Sequence, residues 1–244
     1  MKSARSLKRW TASPSCETLQ LTSFNMLTLG TICHEIGHLV CDFPDLYDPG
    51  DDEFESHGVG GYCLMSHGAS IDERNPTQIC AYLKYRAGWA SSVNTISAGL
   101  NTVKAGVNDF FIHPKNDSEY FIIENRQQAG RDTALPGSGL AIWHVDEDGD
   151  NERHHMTTGW HFECSLEQAD GKFDLETIRH PRPPGHHLDA ADHYGDVEDL
   201  YRSGVSTDFG DATTPDSRWW DGTPSGLEMS RVSASGVTMT FDSR

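Results

Sequence analysis

Residues 33–48 read CHEIGHLVCDFPDLYD. In an α-helix, residues four apart lie on one face, one turn apart. His34 and His38 can therefore aim two imidazoles at one metal, and HExxH is the spacing that holds Zn2+. Glu35 follows the first histidine and sits beside that face. There a carboxylate can take a proton from a zinc-bound water without being a ligand. The chemistry implied is hydrolysis of an amide bond, with Zn2+ as cofactor and a protein or peptide as substrate.

The flanking sequence supports the helix. Within residues 23–41, Ile32, Ile36 and Val40 recur every four residues, flanked by Leu29 and Leu39, which predicts an apolar helical face. Pro44 ends the pattern, because proline cannot continue a helix and pushes Phe43 toward an extended conformation. Gly37 lies inside the helix at a cost of about 1 kcal/mol relative to Ala, and its small size lets another segment pack close behind the site.

A zinc site needs a third protein ligand. One class of HExxH site takes a Glu from a later helix, and another turns sharply after the second His. Here Glu53, Glu55 and Glu73 are the later glutamates, and none sits in a convincing helix. The early turn at Pro44 offers Asp42, Asp45 and Asp48. Asp42 is too close to the helix end to swing round, and it suits a left-handed turn, which Asp tolerates. Asp48 precedes Pro49 and begins a new turn. Asp45 is the expected third ligand, beside His34 and His38.

Further along, residues 48–61 form an acidic, Gly-rich loop, followed by the short apolar run YCLMSHG. Residues 76–89 predict a second helix, with Pro76 in its first turn, Gly88 at its end, and Ile79, Leu83 and Ala87 on one face. After residue 96 the character changes. DFFIHP, EYFIIENR, GLAIWHVDE and GVTMTFD are rich in β-branched and aromatic residues, are bounded by turn residues, and read as strands. The fold class expected is α+β, with a helical active-site segment over residues 1–98 and a β-rich, loop-rich, sandwich-like region over 99–244.

The formal net charge of −18 in 244 residues repels phosphate backbones and argues against nucleic acid as a partner. No apolar run approaches the length of a membrane span, and the basic N-terminus has no hydrophobic core of a secretory signal. The six Cys contain no CxxC pair, which argues against a Cys-based zinc knuckle and leaves disulfide pairing open. VDEDGDNE at 145–152 has oxygen ligands at calcium-like spacing but lacks the closing Glu, with Thr157 in its place. QADGKFDLE and HYGDVEDLY are weaker calcium candidates. The four His of residues 180–193 read as a solvated loop, and the Trp pair of SRWWDG as a core plug.

These motifs, in this order, resemble the immune-inhibitor-A-like secreted metallopeptidases, a metzincin-like HExxH family. GTICHEIGHLVCDFPDLYD is similar to the family's active-site helix, and GVGGYCLMSHG to its methionine-turn segment. NPTQICAYLKYRAGW, EYFIIENRQQAGRDTALPGSGLAIWHVDED and the C-terminal stretch also resemble it. The resemblance covers residues 23–244. It implies a secreted zinc endopeptidase, often stabilised by Ca2+, with Met65 beneath the metal and its sulfur supporting the site rather than ligating zinc. Two departures stand out. Cys41 occupies the place of a usual glycine and the following turn is one residue longer; and only 33 residues precede His34, where the family has an N-terminal subdomain, so a fragment is expected. Two rival readings remain: an inactive truncated remnant that still folds, and a calcium-stabilised extracellular binding module.

Overall fold

Strand β4, Glu119–Arg126, is buried along its whole length, as is most of its neighbour β5, Gly139–Asp146. Successive side chains of a strand face opposite ways, so a strand buried throughout needs cover on both faces. The computed structural model, which describes residues 28–50, 55–152, 159–176 and 194–244, supplies that cover. Tyr120 and Ile122 of β4 face one core with Ala141, Trp143 and Val145 of β5. Phe121 and Ile123 face a second core with Leu140 and Ile142.

Around this pair lies a five-stranded sheet. Its other members are β1 (Ser92–Thr95), β3 (Asp109–Pro114) and β6 (Cys164–Leu166), in the order β1-β3-β4-β5-β6. β1 pairs with β3 in parallel, and the other neighbours are antiparallel. Across the second core stands a three-stranded antiparallel sheet of β2 (Gly99–Lys104), β8 (Thr238–Ser243) and β7 (Met229–Ser230), ordered β2-β8-β7. Trp219 is buried in this second core, as expected of a plug.

The first core is closed by the N-terminal segment. Helix α1 spans Leu29–Cys41, α2 is the single turn Ala69–Ile71, and α3 spans Ala81–Arg86. Phe43, Leu46, Tyr62, Met65, Tyr82 and Leu83 pack onto the sheet, so one core crosses residue 98 without a break. A buried polar network fixes this packing. The Glu124 carboxylate takes a hydrogen bond from the Lys84 ammonium at 3.0 Å and from the Ala81 amide at 3.0 Å, where it caps α3. Arg126 donates to the Tyr62 carbonyl at 2.9 Å and pairs with Asp132 at 3.0 Å.

The coarse α+β reading holds, and two details are corrected. The second helix is shorter than 76–89, because Pro76–Cys80 is held outside it; Asp132 takes up the Gln78 amide instead. More consequentially, Ile32, Ile36, Leu39 and Val40 are exposed, the last two at 77% and 72%. The inward face of α1 is Gly30, His34 and Gly37. These small residues let the helix approach the loop beneath it: a Cβ on Gly30 would sit 1.9 Å from the Ala69 carbonyl oxygen, and one on Gly37 would sit 2.6 Å from Met65 Sδ. Close backbone approach, not aliphatic burial, seats this helix. Residues 1–27, and with them Cys16, lie outside the described residues, as do Glu53 and the histidine-rich loop. No helix among the described residues is long and apolar enough to cross a membrane.

Candidate metal centre

α1 begins at Thr28, whose hydroxyl accepts the Thr31 amide at 3.2 Å, an N-cap that satisfies one of the helix's free donors. It ends at Asp42, which adopts the left-handed conformation with φ 53°. The Asp42 amide bonds the His38 carbonyl, and the Phe43 amide reaches back to Gly37. This left-handed step reverses the chain, so residues 43–45 run back beneath the last turn.

The reversal gives His38 a partner: its Nδ1 lies 2.7 Å from the Phe43 carbonyl. His34 Nδ1 lies 2.9 Å from the Leu64 carbonyl. Carbonyls only accept, so each Nδ1 carries a proton, and the neutral ring presents its lone pair at Nε2. Carbonyl partners of this kind orient the histidines of metal sites.

The reversal also brings Asp45 to the two rings. Asp45 Oδ1 is 2.9 Å from His34 Nε2 and 3.3 Å from His38 Nε2, and the two Nε2 atoms are 3.1 Å apart. Asp45 Oδ1 is buried, yet it has no hydrogen bond of acceptable geometry. Three electron-rich atoms this close require positive charge among them. Ligands about 2.0–2.1 Å from one zinc in a tetrahedron are about 3.3 Å apart, which these separations approach. Two neutral imidazoles and a carboxylate are also a donor set that zinc accepts. The residues present fit a zinc ion.

The electrostatics agree. The Asp45 carboxylate beside its Nε2 raises His38 to about 9, against the opposing effect of burial. Burial is the largest influence on His34 and opposes its charge, but the Asp45 carboxylate and the Leu64 carbonyl together outweigh it and raise that group too. Asp45 is partly buried, which works against its charge, yet the two imidazoles hold it down at about 2. The centre keeps its carboxylate ionised and holds positive charge beside it, as protons on the imidazoles or as a metal ion in their place.

Of the sequence candidates, the structure brings together His34, His38 and Asp45. Glu35, one residue on from His34, is exposed on the solvent side. Asp42 serves the turn, as expected. Asp48 is buried, and its Oδ1 accepts the Gly50 amide. Met65 is fully buried against Gly37, a residue of α1 that lies between His34 and His38 in the sequence. Four residues escaped sequence reading. The Tyr47 ring lies 5.3 Å from that of His67, which stacks on Tyr194 at 4.2 Å and meets His57 at 4.9 Å. Burial, then the neighbouring His57, pushes His67 down to about 3, so it stands neutral beside the centre. Tyr47 is pushed up, first by burial and then by the charges of Asp45, Glu152 and Glu35. The repeated aromatic and histidine residues of PDLYD, SHG and MSHG were the available signal.

At 145–152 no group of three convergent ligands forms among the described residues. Asp146 pairs with His161 at 2.9 Å, Asp148 and Asp150 turn outward, and their carboxylates do not converge. The five described cysteines are free thiols.

The chain matches no family model and no curated protein. The functional reading therefore rests on the geometry and the motifs.

Proposed function

We propose that this protein is a zinc-dependent endopeptidase in which His34, His38 and Asp45 hold the metal and Glu35 is the general base. One observation carries the reading: two helical Nε2 atoms and an unbonded, buried carboxylate oxygen meet within 3.3 Å of one another, and the charge of Glu35 is felt at His38. Bound there, zinc would lower the pKa of a water and polarise the scissile carbonyl. The chain's own residues do the rest. Asp45 balances the charge of the centre, and the carbonyls of Phe43 and Leu64 hold the imidazoles in the tautomer that presents Nε2. The Glu35 carboxylate accepts the proton of the attacking water and returns it to the leaving amine. Met65, packed against Gly37, would support the histidines as the family resemblance implies. A secreted setting and a protein or peptide substrate belong to the same reading.

The test is direct. The purified chain should carry about one zinc, lost on chelation, and should cleave casein or gelatin. Glu35→Gln should keep the zinc and lose cleavage by at least about 100-fold, the usual scale of a general base. Equal inactivity of wild type and variant, both zinc-loaded, would remove the peptidase assignment.

A further inference from the structure

A cavity of about 330 Å³ opens between α3, β3, β4 and the loop that follows β4, and none of the metal-centre residues lines it. Strand alternation puts Glu124 and Arg126 on the same face of β4, the face that α3 covers. Both line the cavity, together with Lys84 of α3 and Asp132 of the loop.

Arg126 is incompletely bonded. Its side chain is only 2% exposed. Nη1 donates to the Tyr62 carbonyl at 2.9 Å and lies 3.6 Å from Glu124 Oε2. Nε and Nη2 are buried and have no hydrogen-bond partner. Asp132 Oδ2 lies 3.0 Å from Nη2, close enough to balance charge but outside hydrogen-bond geometry. Nε–H and one Nη2–H share an edge of the planar guanidinium. That edge is the fork that takes two oxygens of a carboxylate or phosphate side by side. Buried donors are almost always bonded, and leaving two of them bare is costly. An acceptor from outside the chain would satisfy both.

The surrounding charges select that acceptor. Lys104 and Arg131 also line the cavity, are exposed, and have no acidic partner among the described residues. The carboxylates of the wall are already engaged. Glu124 accepts from Lys84 and from the Ala81 amide, Asp132 from the Gln78 amide, and Asp109 from the Ser92 hydroxyl. Lys84, Lys104, Arg126 and Arg131 thus face Asp109, Glu124 and Asp132, an excess of one positive charge. The chain as a whole carries −18, so it repels anions over most of its surface and collects them here. A single excess charge, with Glu124 and Asp132 beside the open edge, suits a monoanion better than a phosphate dianion.

We propose that this cavity binds a small carboxylate, with its two oxygens on the Nε–Nη2 edge of Arg126 and its charge balanced by Lys104 and Arg131. A free organic acid and a peptide C-terminus both carry that group, and a cavity of this size admits either. Carboxylate binding here does not depend on the zinc reading.

The experiment is an NMR titration of the isotope-labelled full chain with sodium N-acetylglycinate at constant ionic strength. N-acetylglycinamide is the neutral isostere and sodium phosphate the competing anion. The acid should shift the signals of residues 104–109 and 124–132 with a dissociation constant of roughly 1–20 mM. The amide should bind at least about tenfold more weakly, because it cannot fill the charged fork. Lys104→Gln and Arg131→Gln change exposed positions, should fold as the wild type does, and should each weaken the acid by about 2–5-fold. Pentaalanine with a free C-terminus binding more tightly than N-acetylglycinate would mark a chain terminus as the source, and equal or weaker binding a small acid. No saturable shift at about 100 mM acid overturns the proposal. So does equal binding of acid and amide, tighter binding of phosphate, or unchanged affinity when Lys104 and Arg131 are both replaced.

Discussion

Gly37 poses a conflict that one substitution can resolve. It sits in the middle of α1 between the two histidines, where Ala is the better helix former by about 1 kcal/mol. On propensity alone, Gly37→Ala stabilises. The new Cβ, however, would lie 2.6 Å from Met65 Sδ and 3.3 Å from Met65 Cε, against ordinary contacts of 3.4–4 Å. The sulfur must retreat by about 1 Å, and Met65 is fully buried, so it moves into occupied space. Overpacking of this kind costs about 1–3 kcal/mol, which leaves a net loss of about 0–2 kcal/mol. The sharper measurement is a double-mutant cycle in urea. Met65→Ala alone should cost about 2–5 kcal/mol. In that background the clash is gone, and Gly37→Ala should gain about 1 kcal/mol, a coupling of about 1–3 kcal/mol. If Gly37→Ala stabilises the wild type, or costs the same with Met65 truncated, then the methionine does not press on this helix and the account of how α1 is seated is wrong.

Three further outcomes follow from the same structure. Asp42→Gly removes the left-handed strain at φ 53° and should raise stability by about 0.5–1 kcal/mol, read as a higher Tm; a lower Tm would mean that the Asp side chain holds the turn. Lys84→Met leaves the buried Glu124 carboxylate without its ammonium and should cost about 3–5 kcal/mol in chemical denaturation, with Glu124→Gln restoring part of it; an additive pair would show that the two groups are not coupled. Burial opposes a charge on His144, but hydrogen bonds to Glu119 and Glu167 outweigh it and raise its pKa above 6.5. A raised histidine stabilises fully below about 6.5 and loses that contribution as pH rises through its folded value. Urea midpoints from pH 6 to 9 should therefore fall more steeply for wild type than for His144→Gln, and parallel curves would count against a charged His144.

Much of this was legible in the sequence where local pattern and tertiary environment agree. DFFIHP and EYFIIENR coincide with β3 and β4, because β-branched and aromatic runs bounded by turns fit buried strands. The meeting of His34, His38 and Asp45 followed from helical spacing and an early chain reversal. Other parts were hidden. β1 and β2 read SVNT and GLNTVK, polar segments whose strand character comes from partners distant in sequence. The buried face of α1 was misread because it is made of glycine and histidine, to which an apolar periodicity is blind. An acidic cluster at Asp170, Asp196 and Glu198 joined two weak motifs that only the fold brings together.

The position of β8 has a consequence for time rather than for stability. It is the middle strand of the three-stranded sheet, where Gly99 pairs with Ser243 and Lys104 with Thr238. Neither neighbour can complete its ladder until a strand from the far end of the sequence arrives between them. Contacts of such separation are slow to form, because the long intervening loop must be closed first. During refolding, β2 waits with both edges unpaired, beside apolar side chains that the second core has not yet covered, and in that interval the chain is most exposed to pairing with another copy of itself.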